Sequence, residues 1–408
     1  MSALKADRYF IEQMRAQARW RLEESVNLLP SENMTSPQVR ALLSSDFGHR
    51  YSLPLNEDSA GWFIENAYRG THITNEVELQ AEKLAREVFS SDHACVQPLS
   101  GHIAAMIAIA STAGKRDSLC AIAAEHGGYD GYGQKYIPDI LGMRYWPLPF
   151  DKRRHNVAVE KAVAGIRAKK PRLVILGASY IPFPYEMTPI REACDEVGAD
   201  LIYDASHVLG LVAGGEFQEP LSEGADILYG STHKSFYGPQ GGIITTDRDD
   251  LDANVRKNLT WRFVDNIHWN RVAALGQALL ESKRFGKAYA KQVVKNARRL
   301  GKELTERGFP LLFEDQGYTS SHQLMIDQKS LVDKYDMDPN EFSVVLERSN
   351  IIVDSVGRLG TAEVTRLGVK EKDIPELAEM FMDALGGRNV KKRIREYRDR
   401  YDIAYAFK

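Results

Sequence analysis

Short runs of aliphatic and β-branched residues recur through the middle of the chain. Residues 118–124 (SLCAIAA), 172–178 (RLVILGA), 200–205 (DLIYDA), 226–231 (DILYGS) and 241–247 (GGIITTD) have the length and composition of buried strands. Residues 156–170 (NVAVEKAVAGIRAKK) and 188–198 (TPIREACDEVG) space their apolar positions as amphipathic helices do, with Asn156 and Thr188 as candidate caps. Strands alternating with helices predict an α/β domain whose mainly parallel sheet is covered on both faces. From about 267 to 308 the helical pattern is long, which suits a helix bridging two domains. Beyond Gly308 come shorter segments, FPLLF, HQLMID, PNEFSVVLERS, NIIVD, AEVTRL and IPELAEMFMDAL, which predict a smaller α+β domain. The basic stretch VKKRIREYRDRYDIAY (390–405) reads as a solvated amphipathic helix.

Bulk properties narrow the classes. A chain of 408 residues exceeds what one core usually supports. With 43% hydrophobic and 27% charged residues it has the composition of a soluble enzyme. A net charge of −3 offers no general attraction to nucleic acid or acidic membranes, and neither is expected as a partner. No apolar run reaches the length of a membrane span, and the first twenty residues lack the apolar core of a signal peptide. Cys95, Cys120 and Cys194 are scattered, which predicts reduced thiols, a cytoplasmic protein and no metal site.

Five local features gather at the predicted carboxyl edge of the sheet, where open α/β sheets place ligands. In PLSGHIAAMIAIA (98–110), Ser100 and Gly101 precede an apolar helix, and a helix N-terminus suits a phosphate. In EHGGYDGYG (125–133), His126 could lie beside a bound aromatic ring. In YDASHV (203–208), Asp204 ends a buried strand and needs a partner such as a pyridinium N–H. In GSTHKSFYGPQGG (230–242), Lys234 stands among small, aromatic and glycine residues, a setting that suits Schiff-base chemistry. In VGRLGTAEVTR (356–366), Arg358 can offer a fork to an α-carboxylate. Each has an ordinary alternative: a plain helix cap, a structural histidine, a helix-capping carboxylate, a surface lysine, a surface ion pair. Taken in order, they are the parts needed to hold pyridoxal 5'-phosphate and an amino acid.

LLPSENMTSP, CVQPLSGHIA, EHGGYDG, YDASHVLGLVAGG, STHKSFYGPQGG and RLGTAEVTRLG together resemble the serine hydroxymethyltransferase family. The resemblance implies a fold-type I pyridoxal-phosphate enzyme with a mainly parallel seven-stranded-type sheet. It implies an N-terminal arm (1–35), a large cofactor-binding domain (36–285) and a small C-terminal α+β domain (286–408). Carried over residue by residue, Lys234 bears the cofactor, Asp204 binds the ring nitrogen and His126 stacks on the ring. Ser100 and Gly101 take the phosphate, His102 is a further cofactor-binding residue, and His207 contacts the 3-oxygen region. Ser179, Thr232 and His233 line the site. Ser31 and Arg358 hold the substrate carboxylate. Tyr51 and Tyr68 reach the partner subunit's site, so a homodimer with shared sites is implied, or a tetramer built from it.

Two departures accompany the resemblance. The family usually reads Tyr-Ala-Glu-Gly-Tyr-Pro-Gly after the first tyrosine, whereas this chain reads HRYSLPLNEDSAGWFIENAYRG (49–70). Leu53 stands where the proton-handling glutamate is expected, and Glu57, Asp58 and Glu65 are candidates to replace it. The Gln-Gly-Gly loop is also missing; Asn266 and His268 in WRFVDNIHWNR (261–271) are candidates there. The expected activity is making or breaking the Cα–Cβ bond of a small β-hydroxy amino acid, with tetrahydrofolate or an aldehyde as one-carbon or aldehyde partner. Alternatives are a threonine aldolase or transaldolase activity without folate, another reaction on the same fold such as transamination or decarboxylation, and a non-catalytic binding protein. The intact lysine and aspartate speak against the last.

Overall fold

The structure, a computed structural model, describes residues 8–52 and 67–408. It divides into two compact units. One comprises Asn33–Lys291 with Tyr405–Lys408, the other the chain through Glu32 with Gln292–Ala404. The division falls inside a helix of 38 residues, Trp269–Glu306, within the range predicted as one long helix.

The larger unit is built on seven strands. In chain order these are β1 (His93–Cys95), β2 (Ser118–Ala121), β3 (Arg144–Pro147), β4 (Leu173–Leu176), β5 (Asp200–Asp204), β6 (Ile227–Ser231) and β7 (Gly242–Thr246). Across the sheet they run β1-β7-β6-β5-β4-β2-β3. Neighbours from β6 to β3 are parallel, while β7 runs antiparallel to both β6 and β1. All five predicted strands are present. The two that were not predicted have weak local signals: β1 has three residues, and β3 is a largely exposed edge strand ending at Pro147.

Ile107, Leu119, Ile175, Ile202, Ile227 and Ile244 form part of one buried cluster. The predicted helices appear as Val159–Lys169 and Thr188–Val197, but the expected caps do not. Asn156 lies in a short strand, its side chain donating to the Pro184 carbonyl, and the helix begins after Ala158. Thr188 is already the first helical residue, and Pro189 behind it supplies the helical φ at no cost in hydrogen bonds.

The smaller unit has its own core, including Leu28, Leu300, Leu324, Phe342, Leu359 and Phe381. Its described residues form two two-stranded sheets. Val26–Asn27 pairs in parallel with Ile351–Ile352, and Gln323–Met325 pairs antiparallel with Arg358–Gly360. The N-terminal segment passes so close to Gly360 that a Cβ there would lie 2.6 Å from Pro30 Cα. The predicted tail helix is Lys391–Arg398, with Ile394 and Tyr397 buried on its inner side.

Candidate active site

The carboxyl ends of β4, β5 and β6 and the N-terminus of helix Gly101–Thr112 surround one cleft. Its wall includes Gly101, His102, Ser179, Asp204, His207 and Lys234. Six of the residues singled out in the sequence are therefore brought together.

The helix begins at a cap: Ser100 Oγ accepts from the Ile103 N–H at 3.1 Å. Its first N–H groups point outward, with the positive end of the helix dipole, as an anion site requires. The fit is tight there: a Cβ on Gly101 would lie 2.1 Å from Ser231 Oγ and 3.3 Å from Ser231 Cα. Gly242 is constrained more firmly, since a Cβ would meet the backbone carbonyl of Ser100 at 2.4 Å. The β6–β7 hairpin can thus press its backbone against the helix start.

That hairpin carries Lys234. Its loop folds back on itself: Thr232 Oγ1 donates to the Pro239 carbonyl at 2.6 Å, and Gly238 N–H donates to the Thr232 carbonyl at 2.8 Å. Phe236 and Tyr237 are buried and stacked on each other. The Ser235 carbonyl accepts from Tyr289 at 2.9 Å and from Asn33 at 3.1 Å. The loop is anchored on either side of the lysine. Lys234 Nζ lies 3.3 Å from His207 Nε2. Thr232 is buried, while His233 is half-buried next to the lysine.

Asp204 is buried at the end of β5. Burial pushes its carboxyl above the usual range, opposed by hydrogen bonds from Ser206 and by the charge of Lys234. Its Oδ1 accepts from the Ser206 N–H at 2.9 Å, and its Oδ2 accepts from Tyr132 at 2.5 Å. The end of β4 approaches so closely that a Cβ on Gly177 would lie 2.5 Å from Asp204 Cβ.

His126 closes a short turn after β2, and its ring stacks on Phe150 at 4.9 Å with planes 10° apart. It is not among the described residues lining the cleft. The following glycines are structural: a Cβ on Gly128 would lie 1.9 Å from the Ile122 carbonyl. Tyr51 and Tyr68 are half-exposed, with ring centroids 5.0 Å apart, and Tyr51 donates to Asp265 at 3.3 Å. Ser31 and Arg358 belong to the smaller unit. There Arg358 is buried and forms an ion pair, its Nε donating to Asp354 Oδ2 at 2.7 Å, below the surface where the sequence placed such a pair. Leu53, Glu57, Asp58 and Glu65 lie outside the described residues.

Sequence reasoning did not single out Tyr129, Tyr132, Tyr229 and Ser206. Tyr129 and Tyr229 line the cleft, and Tyr129 O–H meets His102 Nδ1 at 2.8 Å. A usable signal existed for Tyr229. A phenol inside a buried strand needs a hydrogen-bond partner.

A family model described as serine hydroxymethyltransferase matches residues 4–381. The chain belongs to the serine hydroxymethyltransferase family. It is 38% identical over 398 residues to a serine hydroxymethyltransferase of Methanobrevibacter smithii, covering 95% of this chain and 92% of that one. It is 35% identical over 420 residues to one of Pyrococcus abyssi, covering 97% and 95%. Among solved structures it is similar to an L-threonine transaldolase from Pseudomonas fluorescens, with a TM-score of 0.86 and 25% identity over 100% of this chain and 96% of that one. The family and the fold-type I architecture make this chain a pyridoxal-phosphate-dependent enzyme of hydroxymethyltransferase-like or aldolase type. The cleft fits such a group: a helix N-terminus for the phosphate, a lysine for the aldehyde, and a buried carboxylate for a protonated ring nitrogen. Among the described residues no helix is long and apolar enough to cross a membrane.

Proposed function

We propose that this enzyme makes or breaks the Cα–Cβ bond of a small β-hydroxy amino acid and passes the side chain to or from an aldehyde, with little or no dependence on tetrahydrofolate. The observation that carries the reading is the placement of Lys234, His207 and Asp204 in one cleft at the N-terminus of helix Gly101–Thr112.

Pyridoxal phosphate, when bound, supplies an aldehyde for the amino group and a ring that accepts electrons from Cα. Lys234 would hold the cofactor through its aldehyde. His207, within 3.3 Å of Nζ, is placed to take a proton from that amine or return it. Asp204 holds the proton on the ring nitrogen. Ser100, Gly101 and His102 hold the phosphate end. His126, backed by Phe150, covers the ring, and Ser179, Thr232 and His233 complete its surroundings.

Weak folate dependence is argued from Leu53, which stands where the family usually has its glutamate. A leucine transfers no proton and leaves a polar folate group without a partner, which costs about 1–3 kcal/mol. The structural likeness to an L-threonine transaldolase supports the same direction. The hydroxymethyltransferase relatives, at higher identity, support retained action on serine or glycine.

A homodimer with shared sites is part of this proposal. Phe10, Ile11 and Met14 on helix Tyr9–Arg19 are exposed, at 82%, 49% and 58%, as an apolar face awaiting a partner would be.

The test measures aldehyde release from threonine and from serine, each with and without tetrahydrofolate. Threonine cleavage without folate, and serine turnover that folate barely changes, are expected. Fast serine turnover only with folate, beside inert threonine, overturns the proposal.

A further inference from the structure

The Oδ2 oxygen of Asp204 is held by a pair of buried phenols to which the proposed chemistry gives no role. Tyr132, at the end of the turn Asp130–Tyr132, is fully buried and donates to Asp204 Oδ2 at 2.5 Å. Its oxygen also contacts the hydroxyl of Tyr229 on β6, itself 1% exposed. A phenol has one proton to donate. Tyr132 gives its proton to the carboxylate, so the proton between the two phenols belongs to Tyr229. The direction is therefore fixed: Tyr229 donates to Tyr132, and Tyr132 donates to Asp204.

We propose that Tyr229 and Tyr132 form a two-step hydrogen-bond relay that keeps Asp204 ionised and so keeps the proton on a bound pyridine nitrogen. Both are positioning residues, and the inference rests on the reading of Asp204 as the ring-nitrogen partner.

A buried carboxylate beside a pyridinium has two ways to share the proton. Ionised, it leaves the ring cationic and electron-withdrawing. Protonated, it leaves the ring neutral and a weak electron sink. Burial favours the protonated carboxyl, and a donor on the carboxylate oxygen favours the ionised one. Ser206 supplies such donors from its N–H and its hydroxyl, and Tyr132 supplies another. Tyr229 polarises Tyr132 and strengthens the donation, an effect enlarged where water is excluded.

A purely structural role is the competing explanation, because Tyr132 also packs edge-on against Tyr129 at 5.3 Å. Phenylalanine retains that packing and removes only the hydroxyl. The experiment reconstitutes Tyr132→Phe, Tyr229→Phe, the double variant and Asp204→Asn with pyridoxal phosphate labelled with nitrogen-15 in the ring. It reads the ring-nitrogen chemical shift and the cofactor dissociation constant. Wild type is expected at the protonated position and Asp204→Asn at the neutral one. Tyr132→Phe moves the shift toward neutral and weakens cofactor binding about tenfold or more, as losing a hydrogen bond to a charged group does. Tyr229→Phe moves the shift the same way by less, and the double variant matches Tyr132→Phe alone, because Tyr229 acts only through Tyr132.

A wild-type shift and affinity in Tyr132→Phe overturns the relay while leaving Asp204 in its role. Additive effects in the double variant overturn the order of the chain. If wild type itself is neutral, or Asp204→Asn leaves the shift unchanged, the reading of Asp204 fails and the relay with it. Should Tyr132→Phe not fold, the shift of Tyr229→Phe decides alone.

Discussion

Lys234 Nζ and His207 Nε2 lie 3.3 Å apart, brought together from the loops that follow β6 and β5. A lysine so placed, in a loop fixed through Ser235 and Thr232, can be captured by an aldehyde. Borohydride reduction of the holoenzyme, followed by digestion, is expected to leave the phosphopyridoxyl label on the peptide containing Lys234. Lys234→Ala should lose the label and the visible absorbance band. A label on another lysine in the wild type refutes the assignment.

Asp204→Asn keeps the shape of the side chain and removes its charge. Turnover is expected to fall by roughly three orders of magnitude, in the upper range for removing one preorganised electrostatic partner. Part of the cofactor should remain bound through the helix N-terminus and Lys234. Near-normal turnover in this variant would remove the proposed role.

Shared sites predict complementation. A Lys234→Ala chain and a Tyr68→Phe chain are each expected to be inactive, and mixing them under conditions of subunit exchange should restore part of the activity. Heterodimers demonstrated by mass spectrometry but without activity would argue that each chain works alone.

Stability should depend on pH through Glu363. Burial pushes its carboxyl up to about 7, opposed by a hydrogen bond from Asn27. In the unfolded chain a glutamate titrates near ~4.3. Between those values the folded chain keeps a proton that the unfolded chain has released, so stability falls as pH rises through that window. The full effect is roughly 4 kcal/mol, at 1.36 kcal/mol per pKa unit. Glu363→Gln should shrink the drop in melting temperature between about pH 5 and pH 8. Some drop remains, because burial and the neighbouring Glu82 push Glu78 up to about 8. Parallel melting curves for variant and wild type would show that Glu363 does not titrate there.

What could be read from the sequence followed from how local each signal was. The central strands announce themselves because both faces are buried, which demands continuous apolar runs. Strand β3 does not, because an edge strand with exposed Arg144 and Trp146 leaves no such run. Asn156 has the residue type of a cap but sits too early, held by Pro184 instead. Lys234 and Asp204 could be singled out because a lysine among glycines and a carboxylate ending a buried strand each ask for a chemical reason, and the structure puts both in one cleft. Tyr132 offered no such signal, and Tyr229 only the general one that a phenol in a buried strand needs a partner. Their partner lies across the fold, and a tyrosine in an apolar segment reads as core until its hydroxyl is located.

The pairing of Val26–Asn27 with Ile351–Ile352 has a consequence for biosynthesis. The two strands lie about 325 residues apart in the chain, so the earlier leaves the ribosome well before the later. At ~5–20 residues per second the early strand waits on the order of tens of seconds for its partner. Through that interval its edge, with the apolar Val26 and Leu28 beside it, is open to other nascent chains. Heterologous production of this protein should therefore benefit from slower initiation, lower temperature or an abundant holding chaperone. A truncation before Ile351 would leave the N-terminal segment permanently without its strand.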